Sequence, residues 1–282
     1  MGRYLLTHLK KRYPQAVFLE ATRPQFDLGN VDALVSRLGG FEPDLVFHLA
    51  GLSRVRDDVP FTEYFEGNFL TTTNLVKALE RTGKPFKMFF SSSIHVYGPQ
   101  TEVVNEESAA KPASPYGFSK YLAEEALQDL CKRRSDVKVT VGRLYNCLGP
   151  GQAPGFVAAD WCQKLRDLPA DGGVLKVGSL SSFRYFIDVR DAVEMFPQLL
   201  EKAPAGFSIY NISSQTPTPL EDILKKLIEV SGKHPKIEVS DQQTPNRFPG
   251  LKISTAKLEA ALPGTKLRPL DETLREMYAE RP

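Results

Sequence analysis

Cysteine, tryptophan and histidine are scarce in this chain, and neither sign of charge is in excess. Three cysteines, one tryptophan and four histidines are spread over 282 residues. Cys131, Cys147 and Cys162 form neither a CxxC pair nor a Cys/His ligand spacing, and no HExxH occurs. No structural metal site is therefore expected. Basic residues number 36 against 34 acidic ones, a formal net charge of +2. That balance gives no reason to expect nucleic acid or a membrane surface as partner. The longest basic cluster, Lys132-Arg133-Arg134, closes an expected helix, where cations suit the helix dipole. Long apolar runs, a signal peptide and lipidation signals are missing too, so the expected setting is reducing and cytoplasmic.

Apolar residues make up 41% and charged residues 25%, the balance of a globular protein. The length suits one large domain with a smaller appended lobe. In the first half, short apolar runs read as buried strands: Ala16 to Ala21, Asp44 to Leu49, Lys87 to Ser91 and Val137 to Gly142. Between them lie stripes of helical period, among them Leu5, Leu6, Leu9 and Tyr13, then Leu34, Val35 and Leu38, then Tyr121, Leu122, Leu127 and Leu130. Continuous apolar strands alternating with helices predict a doubly wound, Rossmann-type parallel sheet covered on both faces.

After Gly149-Pro150-Gly151 the strands shorten and the loops gain proline and glycine. The expected division is a dinucleotide-binding domain over 1–150, with 188–212 returning to it. A small α/β substrate lobe would take 151–187 and 213–282. In that lobe a helix is expected over Pro219 to Ser231, with Gly232 just past its end, and another over Leu270 to Ala279.

A dinucleotide fold opens on a strand, a Gly-rich turn and a helix, because backbone must approach a pyrophosphate closely. This chain opens Met1-Gly2-Arg3-Tyr4, already at the helix, with Gly2 where the last glycine of a GxxGxxG turn would stand. The strand and the first two glycines are absent, so the expected sheet lacks its first strand. Two strands are then expected to lack a neighbour.

The strongest chemical signal is Tyr116-Gly117-Phe118-Ser119-Lys120, a YxxxK at a helix start. A spacing of four puts both side chains on one face. An ammonium beside a phenol lowers its pKa, which would make Tyr116 an acid/base near neutral pH. Upstream, the strand Phe89-Phe90-Ser91-Ser92-Ser93 carries hydroxyls to the carboxyl edge of the sheet, where ligands bind. Downstream, Gly142-Arg143-Leu144-Tyr145-Asn146 is another strand with a polar end.

With Val46-Phe47-His48-Leu49-Ala50-Gly51, Asn68, Thr72-Thr73-Asn74-Leu75, the GPGQ at 149–152 and Arg184-Tyr185-Phe186-Ile187-Asp188-Val189-Arg190-Asp191, these motifs span nearly the whole chain. The chain resembles the extended short-chain dehydrogenases that act on sugar nucleotides. GPGQ with RxFxDVRD looks most like the branch of GDP-mannose 4,6-dehydratase and GDP-4-keto-6-deoxymannose reductase.

The resemblance implies a nicotinamide cofactor, NADP or NAD, and a nucleotide-sugar substrate. Tyr116 would exchange a proton with the sugar C4 oxygen. Lys120 would lower its pKa and hold the nicotinamide ribose, and Ser93 would hydrogen-bond the same oxygen. Ala50 and Gly51 would line the cofactor cleft, with Gly2 at the pyrophosphate. Thr22 and Arg23, after the second strand, favour NADP, and Asp27-Leu28 resembles the adenine contact. Asn146, Arg184 and His95 would face the substrate, Arg184 as partner of its diphosphate. The late RPxDxP-like segment reads Thr244-Pro245-Asn246-Arg247-Phe248-Pro249, which makes Arg247 the candidate for the second phosphate. Dehydratases of this kind place an acidic residue after the catalytic serine or threonine, whereas Ser93 is followed by Ile94 and His95. Reduction of a 4-keto-6-deoxy sugar, GDP-linked as the resemblance implies, needs the fewest assumptions. A 4-epimerase uses the same residues. A non-catalytic binding homologue, suggested by the shortened glycine loop, is the reading from another class. Family analogy implies a homodimer through the helices carrying Asn74 to Leu79 and Tyr116 to Leu130.

Overall fold

A computed structural model describes residues 1–22, 26–53, 58–240 and 250–280. Within them the strands run, in chain order, β1 (Leu45–His48), β2 (Lys87–Ser93), β3 (Lys138–Leu144), β4 (Cys147–Leu148), β5 (Gly173–Val177), β6 (Phe183–Tyr185), β7 (Ile187–Asp188), β8 (Phe207–Ile212), β9 (Pro217–Pro219) and β10 (Pro235–Val239). The helices are α1 (Gly2–Arg12), α2 (Val31–Gly39), α3 (Phe61–Tyr64), α4 (Thr71–Glu80), α5 (Pro115–Arg133), α6 (Val157–Asp167), α7 (Val189–Lys202), α8 (Leu220–Ser231), α9 (Ala256–Ala261) and α10 (Leu270–Ala279). One π-helical turn, Phe65–Leu70, joins α3 to α4.

The central sheet has the order β1-β2-β3-β8, every pair parallel. Successive side chains of β2 point to opposite faces, and both faces are dry. Met88 and Phe90 join Val139, Val141 and the stripes of α2, α4 and α5. Phe89 turns the other way, into the core made by α1, α7, Tyr210 and Ile212. There it stacks on Phe196 with ring centroids 4.1 Å apart. This double burial is why the strands are apolar without alternation. Each buried phenylalanine contributes about 1.5–3 kcal/mol relative to an exposed one.

Residues 16–21 belong to no ladder, contrary to the expected strand, and Val17 is 81% exposed. Among the described residues β1 forms one margin of the sheet. A strand exists only through a partner's N–H and C=O groups, and 16–21 has none among the described residues. Its side chains still alternate: Phe18 packs on the α1–α7 core and Leu19 on the α2–α4–α5 core.

The lobe has its own core, where Trp161, Cys162 and Leu165 of α6 meet Leu175, Ile223, Leu224, Leu227 and Leu274. Gly232 ends α8 in the left-handed region at φ 65°, the expected glycine stop. Of the segment after Ser213, assigned to the lobe by sequence, α8 and α10 join this core, whereas residues 251–262 pack elsewhere. Leu258 and Leu262, in and after α9, pack on the sheet's α1–α7 core. Leu251 and Ile253 join Val96, Tyr97 and Tyr145 beneath the carboxyl ends of the strands.

Candidate active site

The carboxyl ends of β1, β2 and β3 converge on the start of α5. Ser114 caps that helix, accepting from Gly117 N at 3.1 Å, and Pro115 occupies the first turn. Gly117 is required by proximity: a Cβ there would lie 2.4 Å from the His95 main-chain oxygen. The helix start is thereby pressed onto the turn that follows Ser93.

Tyr116 is 6% exposed, with the rings of His95 and Tyr64 edge-on at 5.4 and 6.0 Å. Burial pushes its phenol up to about 12, and a hydrogen bond with Ser93 opposes the rise. The expected depression by Lys120 is not what the geometry produces. Lys120 Nζ donates instead to the Ser91 main-chain oxygen at 2.9 Å and lies 4.9 Å from the centre of the Phe90 ring. Burial lowers the Lys120 ammonium to about 8, with Glu124 opposing. Tyr116 is thus a phenol at neutral pH, equipped to give a proton.

The sequence alone gives Asn68 no task. Asn68 sits in the π-helical turn, 1% exposed. Its Oδ1 accepts from Leu52 N at 2.8 Å, and its Nδ2 donates to Ser119 at 2.9 Å. Such turns recur at functional sites. Gly51, at φ 149°, closes the same corner: a Cβ there would lie 2.4 Å from Asn68 Oδ1 and 3.3 Å from Lys120 Nζ. His48 is another residue the sequence left without a role. It is fully buried, bonded to Thr72 Oγ1 at 2.9 Å, and held neutral with a pKa near 3 by burial and then by Lys120. Gly67-Asn68, poor helix formers inside a helical stripe, were the available signal.

His95 is likewise neutral at physiological pH, lowered to about 4 by burial and then by Arg184. Arg184 is half-buried and donates to its neighbour Phe183's oxygen at 2.7 Å. Its charge also acts on Tyr145, so His95, Tyr145 and Arg184 share one wall. Asn146 is exposed between β3 and β4.

The candidate cofactor residues fall in two groups. Ala50 and Gly51 are exposed at the end of β1, beside Lys120. At the helix end, α1 has no side-chain cap and no acid in its first turn. Its first N–H groups and dipole suit an anion. Its amino terminus and Tyr116 both interact electrostatically with Cys147. A Cβ on Gly2 would meet nothing within 4 Å, leaving room for a phosphate there. Thr22 is exposed, its oxygen accepting from Phe26 N at 3.0 Å. Asp27 closes a turn onto Gly29 N at 2.8 Å, and the Leu28 oxygen is held by Asn74 at 3.0 Å. Arg23 and Arg247 lie outside the described residues.

The profile of the "NAD dependent epimerase/dehydratase family" matches residues 1–213. The chain belongs to that family. The GDP-6-deoxy-D-mannose reductase of Pseudomonas aeruginosa is 30% identical over 260 residues, covering 88% of this chain and 81% of that protein. The UDP-glucose 4-epimerase of Bacillus subtilis is 28% identical over 235 residues, 77% of this chain and 69% of its own. A solved structure of RMD from Pseudomonas aeruginosa, complexed with NADPH, superposes with a TM-score of 0.83 at 28% identity. That match covers 98% of this chain and 94% of the other. The chain is an NAD(P)-dependent enzyme with the Rossmann-type fold expected from its sequence. No helix among the described residues is long and apolar enough to cross a membrane.

Proposed function

We propose that this enzyme reduces the C4 keto group of a nucleotide-linked 4-keto-6-deoxy sugar, with GDP as the nucleotide and NADPH as the reductant. The observation that carries the reading is the Tyr116 phenol, buried at the start of α5 against His95 and Tyr64, where burial raises its pKa and so favours the proton-donating form. When bound, the dinucleotide supplies a hydride to the sugar carbon. Ser93 and Tyr116 hold the carbonyl oxygen. As that oxygen gains charge, the Tyr116 O–H bond breaks and the proton moves to it, leaving a hydroxyl on the sugar and a phenolate that solvent reprotonates. Lys120, anchored on the Ser91 main-chain oxygen, holds the ribose. Neutral His95 contributes hydrogen bonding and shape beside Tyr116, and the Arg184 guanidinium pairs with the diphosphate, joined by Arg247. Thr22 and Arg23 favour the 2′-phosphate, and Glu20 is engaged with Lys10 at 3.1 Å.

The residue after Ser93 is Ile94, buried at 4% exposure, so no carboxylate follows the serine to assist loss of water. That supports a reductase over a dehydratase. The 4-epimerase reading rests on the Bacillus relative. Adding a GDP-4-keto-6-deoxy sugar to enzyme and NADPH separates the two. Stoichiometric NADPH oxidation supports the reductase. Interconversion of C4 epimers without net oxidation replaces it with the epimerase.

We also place the enzyme in the cytoplasm as a homodimer. The apolar stripes of α4 and α5 that sequence offered as the contact lie largely in the sheet core, with Leu75, Val76, Leu79, Leu127 and Leu130 buried. The surface supporting association is a neighbouring aromatic face: Phe61, Leu70 and Phe118 are exposed, and the Phe61 ring lies 5.9 Å from Phe65 and 6.0 Å from Phe118.

A further inference from the structure

The residues at 116, 120 and 124 form one stripe on α5, and each engages one member of the serine triplet. Lys120 Nζ bonds with the Ser91 main-chain oxygen at 2.9 Å and Glu124 Oε1 with the Ser92 hydroxyl, while the Ser93 side chain acts on the Tyr116 phenol, holding down its pKa against burial. Consecutive strand residues thus grip consecutive helical turns. Ser92 is also the register partner of Arg143 on β3. From that level Arg143 reaches Glu124 with Nη2 at 2.7 Å and Nε at 3.2 Å from both oxygens. Both side chains are inaccessible, at 5% and 2%.

On its other side the Arg143 guanidinium lies 4.6 Å from the centre of the Tyr97 ring. The Tyr97 hydroxyl donates to Asn211 Oδ1 at 2.7 Å. Asn211 in turn donates to Glu106 at 2.7 Å and to the Ser254 oxygen at 3.1 Å. The pair therefore joins the catalytic helix, the serine strand, the turn after His95 and the 251–255 segment.

We propose that the buried Glu124–Arg143 pair is the positioning element of this reaction centre, tying the serine strand to the catalytic helix so that Ser93 and Lys120 stand where the reaction needs them. The proposal rests on the oxidoreductase reading above. Stability alone does not account for the pair, because buried ion pairs lose heavily to desolvation and apolar replacements of similar volume often do as well. The polar partners of Glu124 tie it to the strand that carries Ser93. The groups facing Lys120 are Glu124 on its own helix, His48 on β1, Asn68 in the π-helical turn, and the Ser91 oxygen and Phe90 ring on β2. With His48 and Tyr116 neutral, Glu124 is the anion that supports the ammonium against burial.

The test uses the full chain with two variants. Ser92→Ala frees the strand from Glu124 and leaves the ion pair whole. Glu124→Leu/Arg143→Met replaces the pair with apolar volume and leaves no orphaned charge. Keto-sugar reduction is measured together with the titration of Lys120, followed by NMR of carbon-labelled lysine and assigned with Lys120→Arg. In both variants kcat falls about 10- to 100-fold with KM little changed, as displacement of reacting groups does. In the double variant the Lys120 titration also moves to lower pH. A folded double variant with unaltered kcat and unaltered Lys120 titration overturns the proposal. If the double variant does not fold, Ser92→Ala decides, and wild-type kcat there overturns it. If the unmodified chain reduces no keto sugar, the functional reading fails, and the Lys120 titration alone still decides the positioning claim.

Discussion

Lys120 Nζ donates to the main-chain oxygen of Ser91 at 2.9 Å, so the ammonium is anchored to the strand that carries Ser93 rather than to the Tyr116 phenol. Loss of that anchor and of the charge it holds has two consequences. Lys120→Met lowers kcat and weakens NADPH binding about 10- to 100-fold, the range for one hydrogen bond to a charged group. Calorimetric titration with NADPH reads the second effect separately from catalysis. Unchanged affinity would remove Lys120 from the ribose.

Tyr116 supplies the proton in the proposed reduction. Tyr116→Phe is expected to lower kcat by about 100- to 10,000-fold while the KM for the keto sugar changes little. Steady-state kinetics of the two proteins check this. A Phe variant within threefold of wild type, on the order of half a kcal/mol, would assign the proton to another group.

The acid limb of stability has named sources. His48 and His95 are held near 3 and 4 in the folded chain, below the ordinary histidine value of 6.5. Above that value both are neutral folded or unfolded, and the fold is at full strength. As pH falls from about 6.5, the unfolded chain takes up protons that the folded chain refuses, so stability drops. Each histidine contributes up to about 1.4 kcal/mol per pH unit until its folded pKa is reached. Urea denaturation at pH 7 and at pH 4.5 measures the loss. His48→Gln, which can keep a bond to Thr72, is expected to flatten the slope, and an equal slope would locate it elsewhere.

Gly51 stands where backbone must pass close to Asn68. Gly51→Ala puts a Cβ 2.4 Å from Asn68 Oδ1 in a backbone conformation that L residues rarely adopt. The expected result is a soluble protein with impaired NADPH binding, because the displaced groups are Asn68 and Lys120. Gly2→Ala meets open space and is expected to leave the fold intact. Comparing melting temperature with NADPH affinity separates local from global damage.

The aromatic face yields a prediction about assembly. Phe61→Glu/Phe118→Glu places two charges on the exposed surface and is expected to turn a dimer into a monomer in sedimentation equilibrium. A monomeric wild type would refute the proposed association.

The alternation of apolar strands with helical stripes predicted the doubly wound sheet, because burial on both faces requires continuous apolar strands and leaves that pattern in the chain. The YGFSK spacing likewise predicted that Tyr116 and Lys120 share a helical face, since helix geometry alone decides it. Other features depend on neighbours that no local pattern encodes. The apolar run at 16–21 reads as a strand, yet a strand is defined by a partner, and none of the described residues pairs with it. Spacing alone sets Lys120 beside Tyr116, whereas in the fold Lys120 turns to the Ser91 oxygen and burial raises the phenol's pKa.

By itself, then, the sequence determined what repeats at short range: the periods of helices and strands, the glycine stop at Gly232 and the types of reactive group. Only the tertiary structure decided which of those groups meet, how dry they are and which proton each holds. Glu124 and Arg143, 19 residues apart, become one unit because β3 and α5 bury them at the same level. Desolvation and hydrogen bonding act through space, and distance along the chain carries no record of them.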